Sequence, residues 1–320
     1  MGKVRSTKDF SLSSNERLNL KEKQKLVFKF TKIKNLTSKY LNFYTFHAGF
    51  KKKSNDLLII VFKIPTPLRA IYSKTSTPSA PIIWDKKNNK GLCKVLIINS
   101  GNANAHTGLA GLKSIDNYVA EASNFFHCPK NQILVSSTGV IGEQLDIDKI
   151  KKVYPLINNK SKGNLLSAAK AIMTTDTFSK TSLKTVKIGS KQIRIFGFAK
   201  GSGMISPNMG TMLAYIFIEA NISRSLLKNF LHSSLDSSFN SITVDSDTST
   251  SDTLMLFSLF ETNDKKISNS SQIKKISQGL KEVMHNLAIQ IVCDGEGISK
   301  LIKVNIKGAK TYKQASRIAF

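Results

Sequence analysis

The sequence is poor in cysteine, proline, arginine and acidic residues, and these shortages exclude several classes of protein. Three cysteines in 320 residues, Cys93, Cys128 and Cys293, are too few and too far apart for a disulfide framework. They favour a reducing compartment, which we take to be the cytoplasm. Seven prolines and a hydrophobic fraction of 41% exclude a disordered or collagen-like chain. No apolar run approaches the roughly 20 residues of a membrane helix, so no membrane partner is expected.

The chain is nevertheless strongly basic, with 48 lysines and arginines, 21 acidic residues and a formal net charge of +27. Only six of the basic residues are arginine, whose forked guanidinium recognises phosphates and bases. The lysines are scattered along the chain, which indicates a general bias toward lysine in the composition and not a nucleic-acid-binding surface. No nucleic-acid partner is expected. Residues 1–40 hold eleven basic and three acidic residues and no signal-peptide core, which predicts a mobile basic extension. A nucleic-acid-binding protein that uses this extension is the alternative from a different class.

Apolar spacing predicts alternating strands and helices after residue 40. Residues 92–99 and 133–135 are apolar runs typical of buried strands, followed by a loop at 100–108 and a turn at 136–139. Two segments repeat apolar residues at helical spacing: Leu112, Ile115, Val119, Ala122 and Phe126, then Ile273, Ile276, Leu280, Val283, Leu287 and Ile291. Hydroxyl-rich loops at strand ends predict a mixed α/β layered sandwich whose loops meet at one site.

The motifs of several common enzyme classes are missing, including the P-loop, the hydrolase nucleophile elbow and the zinc-protease helix. A near match to a dinucleotide loop starts at Gly201, but Pro207 follows where a helix should run. What the chain does contain is a set of small, hydroxyl-bearing segments: 99–104, 137–142, 174–177, 200–204, 207–211 and 294–297. Each segment alone is typical of a turn or helix cap, but turns do not explain the whole set.

The Gly210-Thr211 step, just before the apolar segment 212–218, suggests a mechanism. A threonine hydroxyl is a weak nucleophile unless a base lies beside it, and an N-terminal threonine can use its own α-amine as that base. Attack of the Thr211 hydroxyl on the Gly210 carbonyl, followed by ester hydrolysis, would give an α piece, 1–210, and a β piece, 211–320. Gly210 has no side chain to block this attack. Thr211 is therefore predicted to be a nucleophile created by self-cleavage.

Taken in order, these segments resemble the bifunctional ornithine acetyltransferase family of arginine biosynthesis, also called glutamate N-acetyltransferase. The resemblance runs from about residue 47 to the end and includes 239–245 and 247–250. It implies an N-terminal-nucleophile-like fold with two packed sheets flanked by helices. It also implies that an acetyl group passes from N-acetylornithine to glutamate through Thr211, with no metal and no cofactor. Whether acetyl-CoA serves as an alternative donor is left open.

The resemblance also assigns roles to individual residues. The nucleophile would be Thr211, the oxyanion hole Thr138 and Gly139, and the substrate-binding residues Thr174, Lys200, Thr211 and Glu296. The cleaved pieces would assemble as two α and two β pieces. A catalytic domain is expected over 41–297, with 298–320 as the start of an incomplete, smaller C-terminal domain. The chain departs from the family at Gly210, where alanine is usual, and at His106, where cysteine is common.

Two further interpretations stay open at this stage. A self-cleaving N-terminal-nucleophile amidohydrolase or aminopeptidase would use water in place of glutamate as the second acceptor. An inactive truncated copy would keep the family's motifs without its activity.

Overall fold

A long strand with a break in its middle connects two β-sheets. In the computed structural model, the described residues are 33, 35–158, 161–205, 212–247 and 249–319. Strand β2 (Leu57–Tyr72) has a register shift between Val61 and Thr66, where Pro65 cannot donate a ladder hydrogen bond. Its first half pairs in one sheet and its second half in the other. The single strand thereby fixes how the two sheets meet.

The first sheet contains five strands in the order β5-β1-β2-β3-β4. Besides β2 these are β1 (Leu41–Phe46), β3 (Leu92–Asn102), β4 (Ile133–Val140) and β5 (Lys162–Gly163). Strands β3 and β4 are parallel, and the other pairs are antiparallel. The parallel pair brings the ends of β3 and β4 to the same edge.

The second sheet has the order β2-β9-β8-β7-β6. Its further strands are β6 (Lys180–Ile188), β7 (Lys191–Lys200), β8 (Leu213–Ile218) and β9 (Thr253–Ser258). Strands β8 and β9 are parallel, whereas β7 is antiparallel to both β6 and β8. Strands β8 and β9 therefore lie between β2 and β7, which both precede them in the chain.

The two sheets pack face to face through an aromatic core. The Phe43 ring of β1 lies 6.1 Å from the Phe198 ring of β7 and 6.1 Å from the Phe217 ring of β8. Phe62 stacks on Phe257 with ring centroids 4.9 Å apart. Because both faces of each sheet are buried, the central strands read as continuous apolar runs.

Helices cover the outer faces and complete a four-layer sandwich. They are α1 (Ala80–Asn88), α2 (Gly108–Phe125), α3 (Asp148–Lys151), α4 (Leu165–Ala171), α5 (Arg224–Leu235), α6 (Ser270–Cys293) and α7 (Tyr312–Ala319). Helices α1 and α2 pack on the first sheet, α5 and α6 on the second, and α4 contributes to the core between the sheets. The predicted layered sandwich of two packed sheets flanked by helices is confirmed.

The helices predicted from apolar spacing are confirmed, but two strand ends were wrong. Residues 136–139, predicted to be a turn, continue β4 to Val140, and β3 likewise continues to Asn102. Ser100 pairs with Thr138, so the ladder runs on through small polar residues that an apolar run does not reveal. The predicted loop at 100–108 thus begins after Asn102.

Both ends of the described chain contact the sandwich. Leu36 packs against the core between the sheets, and the Ser38 hydroxyl donates to Glu219 Oε1 at 2.8 Å. Residues 1–32 and 34 of the predicted basic extension lie outside the described residues. At the other end, the Tyr312 hydroxyl of α7 donates to the Asp236 carbonyl at 2.7 Å. Of the helices described here, none is long and apolar enough to cross a membrane.

Candidate active site

The predicted oxyanion-hole residues lie at the end of β4, beside the end of β3. Thr138 is buried, and its hydroxyl makes no hydrogen bond to any other described residue. On the preceding residue, the Ser137 hydroxyl donates to Asn99 Oδ1 at 2.6 Å, and the Asn99 amide donates to the Asn102 carbonyl at 2.8 Å. Asn99 thus connects the ends of β3 and β4 through hydrogen bonds that do not involve Thr138.

Gly139 follows in a conformation and at a distance that exclude other residues. Its φ of +131° is one that L side chains rarely adopt. A Cβ at this position would lie 2.3 Å from the Gly101 carbonyl carbon and 2.6 Å from the Asn102 nitrogen. Both are backbone atoms of the paired strand, so they cannot turn away as a side chain would.

We therefore expect Gly139→Ala to lower the free energy of unfolding by about 2–3 kcal/mol more than Gly142→Ala. Gly142 also has a positive φ, +88°, but a Cβ there would meet nothing within 4 Å. Both variants place alanine at a positive φ, but only Gly139→Ala adds a steric clash. Urea unfolding of both variants measures the difference between their free energies of unfolding. Equal losses of stability would contradict the close approach of the two strands.

Lys200, the last residue of β7, is a buried cation with donors to spare. Its Nζ donates to Thr174 Oγ1 at 3.1 Å, and this is the one hydrogen bond of its ammonium among the described residues. An ammonium has three donors, so two can serve an anionic ligand. Burial lowers the pKa of Lys200, and the nearby Asp176 carboxylate opposes that shift. Thr174 and Lys200, both predicted to bind substrate, are in direct contact.

Glu296 is brought to the same place by the loop that follows β7. Its backbone N–H donates to the Ser202 carbonyl at 2.7 Å. Its Oε2 lies over Gly203, where a Cβ would be only 2.9 Å away, and its side chain is exposed. The Ser202 hydroxyl in turn lies 2.6 Å from Thr175 Oγ1. The Lys200 ammonium and the Glu296 carboxylate therefore lie on either side of the short loop that follows β7.

Three buried ionic residues beneath this loop were missed in the sequence. Lys180 Nζ lies 2.6 Å from Asp176 Oδ1 and 2.6 Å from Asp294 Oδ2, and all three side chains are almost fully buried. Burial alone would raise the pKa of Asp176, but Lys180, Lys200 and hydrogen bonds hold it below its ordinary value. The available signal was the spacing of Asp176 and Lys180, four residues apart in a hydroxyl-rich segment.

The predicted substrate-binding residues and the ends of β3 and β4 are connected through the end of α4 and the residues that follow it. The Ser100 hydroxyl donates to the Ala171 carbonyl at 2.6 Å, and Ser100 is also the β-ladder partner of Thr138. Lys51 Nζ donates to the Met173 carbonyl at 3.0 Å, just before Thr174. The five described residues of the predicted site thus fall into two groups, and the hydrogen bond from Ser100 to Ala171 connects the strand that pairs with Thr138 to the segment that leads to Thr174.

The predicted cleavage site, Gly210-Thr211, lies outside the described residues, but both flanking segments are described. Asp245 accepts the backbone N–H groups of Met204 at 2.5 Å and Ile205 at 2.8 Å. On the other side, Met212 N–H donates to Asp252 Oδ1 at 2.9 Å. Each flank is held by a carboxylate.

Asp252 is itself unusual. Its second oxygen, Oδ2, is buried and has no hydrogen-bond partner among the described residues. Burial raises the pKa of Asp252 well above its ordinary value, although Met212 N–H, Lys200 and Ser249 act in the opposite direction. Nothing in the amino-acid pattern distinguishes Asp252 within its Ser/Thr/Asp-rich stretch. Elsewhere, no group of three or more His, Cys, Asp or Glu side chains among the described residues is arranged to hold a metal ion.

Comparison with known proteins places the chain in a family. The ArgJ family model matches residues 42–320. The arginine biosynthesis bifunctional protein ArgJ of Bartonella henselae is 42% identical over 280 residues, which cover 86% of this chain and 68% of that protein. The protein of the same name from Bradyrhizobium diazoefficiens is 41% identical over 283 residues, with the same coverage.

A solved structure agrees with these sequence matches. The crystal structure of arginine biosynthesis bifunctional protein ArgJ from Bacillus halodurans superposes with a TM-score of 0.50 and 33% identity. It covers 55% of this chain and 92% of that one. The family match spans most of the sequence, and the resemblance inferred from its motifs is confirmed: the chain belongs to the ArgJ family.

Proposed function

We propose that the protein is an acyltransferase of arginine biosynthesis that moves an acetyl group from N-acetylornithine to glutamate. The observation that carries this proposal is the ArgJ family match over residues 42–320, with relatives named as bifunctional proteins of arginine biosynthesis. The buried Lys200 with unused donors and the exposed Glu296 nearby support it, because an amino-acid substrate presents a carboxylate and an ammonium.

The first step in the proposal is self-cleavage between Gly210 and Thr211. The Thr211 hydroxyl attacks the Gly210 carbonyl carbon, the peptide C–N bond breaks, and the nitrogen takes up the proton that the hydroxyl gives up. Water then hydrolyses the resulting ester, which leaves a carboxylate on Gly210 and a free amine and hydroxyl on Thr211. That amine is the base that the hydroxyl lacked.

Acetyl transfer then follows in two half-reactions. The Thr211 amine accepts the hydroxyl proton while the oxygen attacks the acetyl carbonyl of N-acetylornithine, and ornithine leaves after taking that proton on its nitrogen. The glutamate amine next attacks the carbonyl carbon of the acetyl-Thr211 ester, the bond from that carbon to the Thr211 oxygen breaks, and the oxygen takes up the proton that the glutamate nitrogen loses as N-acetylglutamate leaves. The Thr138 hydroxyl and the Gly139 N–H are the proposed donors to the negatively charged oxygen in both half-reactions.

Substrate recognition is assigned to Thr174, Lys200 and Glu296. Lys200, already bonded to Thr174, has donors for a substrate carboxylate, and Glu296 can accept from the ammonium of N-acetylornithine. Because both substrates use the same nucleophile, ornithine must leave before glutamate reacts. In the assembled protein we propose two α and two β pieces and no cofactor.

The test is a search for the covalent intermediate. With N-acetylornithine alone, mass spectrometry of the purified protein should find one acetyl group on the peptide that begins at Thr211. Glutamate should remove it as N-acetylglutamate. Absence of this acetyl-peptide, together with intersecting double-reciprocal lines in place of parallel ones, would overturn the covalent scheme. Continued ornithine release, beyond one per protein and at a rate that does not depend on glutamate, would indicate the amidohydrolase instead.

A further inference from the structure

Lys180 is a fully buried lysine whose donors are all occupied. Its Nζ donates to Asp176 Oδ1 at 2.6 Å, to Asp294 Oδ2 at 2.6 Å and to the Phe178 carbonyl at 3.4 Å. Three donors meet three acceptors, so this ammonium has none left for a substrate. Lys200 differs, because its ammonium has a single hydrogen bond among the described residues.

Asp176 holds the side of the site that contains the cation. Its Oδ2 accepts the backbone N–H of Thr174 at 3.0 Å, and its Oδ1 accepts that of Gly201 at 2.8 Å. Gly201 directly follows Lys200, and Thr174 bonds the Lys200 ammonium. A single carboxylate therefore fixes both the backbone beside Lys200 and the partner of its side chain.

Asp294 connects the segment that carries the anion to the segment that carries Thr174. It accepts the backbone N–H of Thr177 at 3.0 Å and also the Thr177 hydroxyl. Asp294 ends helix α6 and lies two residues before Glu296. The Lys180 ammonium forms an ion pair with both carboxylates, Asp176 beside the Lys200 backbone and Asp294 in the segment that carries Glu296.

We propose that Lys180 is a positioning residue that sets the distance between Lys200 and Glu296, and so the fit of N-acetylornithine. The inference rests on the proposed function, which assigns these two charges to substrate. The carboxylate and ammonium of one substrate are a fixed number of bonds apart, so binding needs the protein charges at a matching separation. The ion pairs of Lys180 connect Asp176, which holds the backbone of Thr174 and Gly201, to Asp294 in the segment that carries Glu296, and this connection supplies the constraint.

A double-mutant cycle in Lys180→Met and Glu296→Gln tests this. Each single change should raise the KM for N-acetylornithine about tenfold or more, with kcat changed less than about threefold. In the Lys180→Met protein, Glu296→Gln should raise the KM for N-acetylornithine by less than about a further twofold, because the Glu296 carboxylate is already displaced from its position. If Lys180 contributes only to stability, the changes in KM caused by Lys180→Met and by Glu296→Gln should multiply in the double variant. That result would overturn the inference.

The chain offers a matched control on the same strand. Lys184, also in β6, pairs with Glu282 of α6 at 2.5 Å, but both side chains are about half exposed. Lys184→Met should leave KM and kcat within about twofold of the parent, because exposed ion pairs contribute little. A tenfold rise in KM for this variant would show that any charge loss on β6 disturbs the site and would remove the case for Lys180.

A second pair of variants covers the case in which Lys180→Met does not fold, as judged by circular dichroism. Lys180→Met combined with Asp294→Asn removes one positive and one negative charge, and the same cycle with Glu296→Gln is run in that background. If the unmodified chain shows no transfer from N-acetylornithine to glutamate, the proposed function fails. If it is active and the cycle is multiplicative, only the role of Lys180 fails.

Discussion

Replacing Thr211 with alanine is expected to leave a single chain of 320 residues and to abolish acetyl transfer. The methyl group of alanine cannot attack the Gly210 carbonyl, so no new N-terminus forms, and no hydroxyl remains to accept the acetyl group. Denaturing electrophoresis should show one band for the variant, where the parent shows pieces of about 210 and 110 residues, the lengths that a cut after Gly210 gives.

The matched control is Thr211→Ser, which keeps the hydroxyl and the α-amine. It should still give two pieces and retain measurable transfer. Two pieces from Thr211→Ala would rule out Thr211 as the cleaving nucleophile. N-terminal sequencing of the smaller piece identifies the cleaved bond directly.

Thr138→Ala is expected to lower kcat by about 10² to 10³-fold, which corresponds to about 3–4 kcal/mol of transition-state stabilisation. The Thr138 hydroxyl lies at the end of β4 without a described partner, while the backbone around it is fixed by the pairing with Ser100. A donor held in this way contributes most when negative charge develops on the substrate oxygen. Steady-state kinetics with both substrates measure the effect.

The neighbouring Ser137 is the control for that experiment. Successive side chains of a strand point to opposite faces, and the Ser137 hydroxyl is occupied by Asn99 Oδ1 at 2.6 Å. Ser137→Ala should therefore cost some stability but change kcat only a few-fold. If Thr138→Ala raises KM and leaves kcat unchanged, Thr138 binds the ground state and is not part of an oxyanion hole.

The sequence was most informative where a single face of an element is buried. Helix α6 places Ile276, Leu280, Val283 and Leu287 against the second sheet, so its period of three and four residues predicted it correctly. The end of β4 was missed because its pairing depends on the opposite strand, which no local pattern encodes. The sandwich was predictable from alternating elements together with the resemblance.

For the site, the sequence indicated single residues but not their surroundings. Lys200 was singled out by its place between Ala199 and Gly201, yet its burial and its bond to Thr174 depend on tertiary packing. Apart from its four-residue spacing from Asp176, nothing distinguished Lys180 from the other lysines, because a charged residue is ordinarily expected at the surface. The roles of Thr211 and Gly210 remain predictions.

The position of β8 and β9 between β2 and β7 has a consequence for refolding if the proposed cleavage occurs. A cut after residue 210 leaves β8 and β9 on one polypeptide and their outer neighbours, β7 and β2, on the other. While the chain is continuous, its connectivity keeps β8 and β9 close to β2 and β7, between which they pair. Once the chain is cut, the unfolded pieces are no longer connected, and refolding requires an α piece and a β piece to associate. Refolding should therefore depend on protein concentration after maturation but not before it, so that the mature enzyme relies on slow unfolding for its persistence.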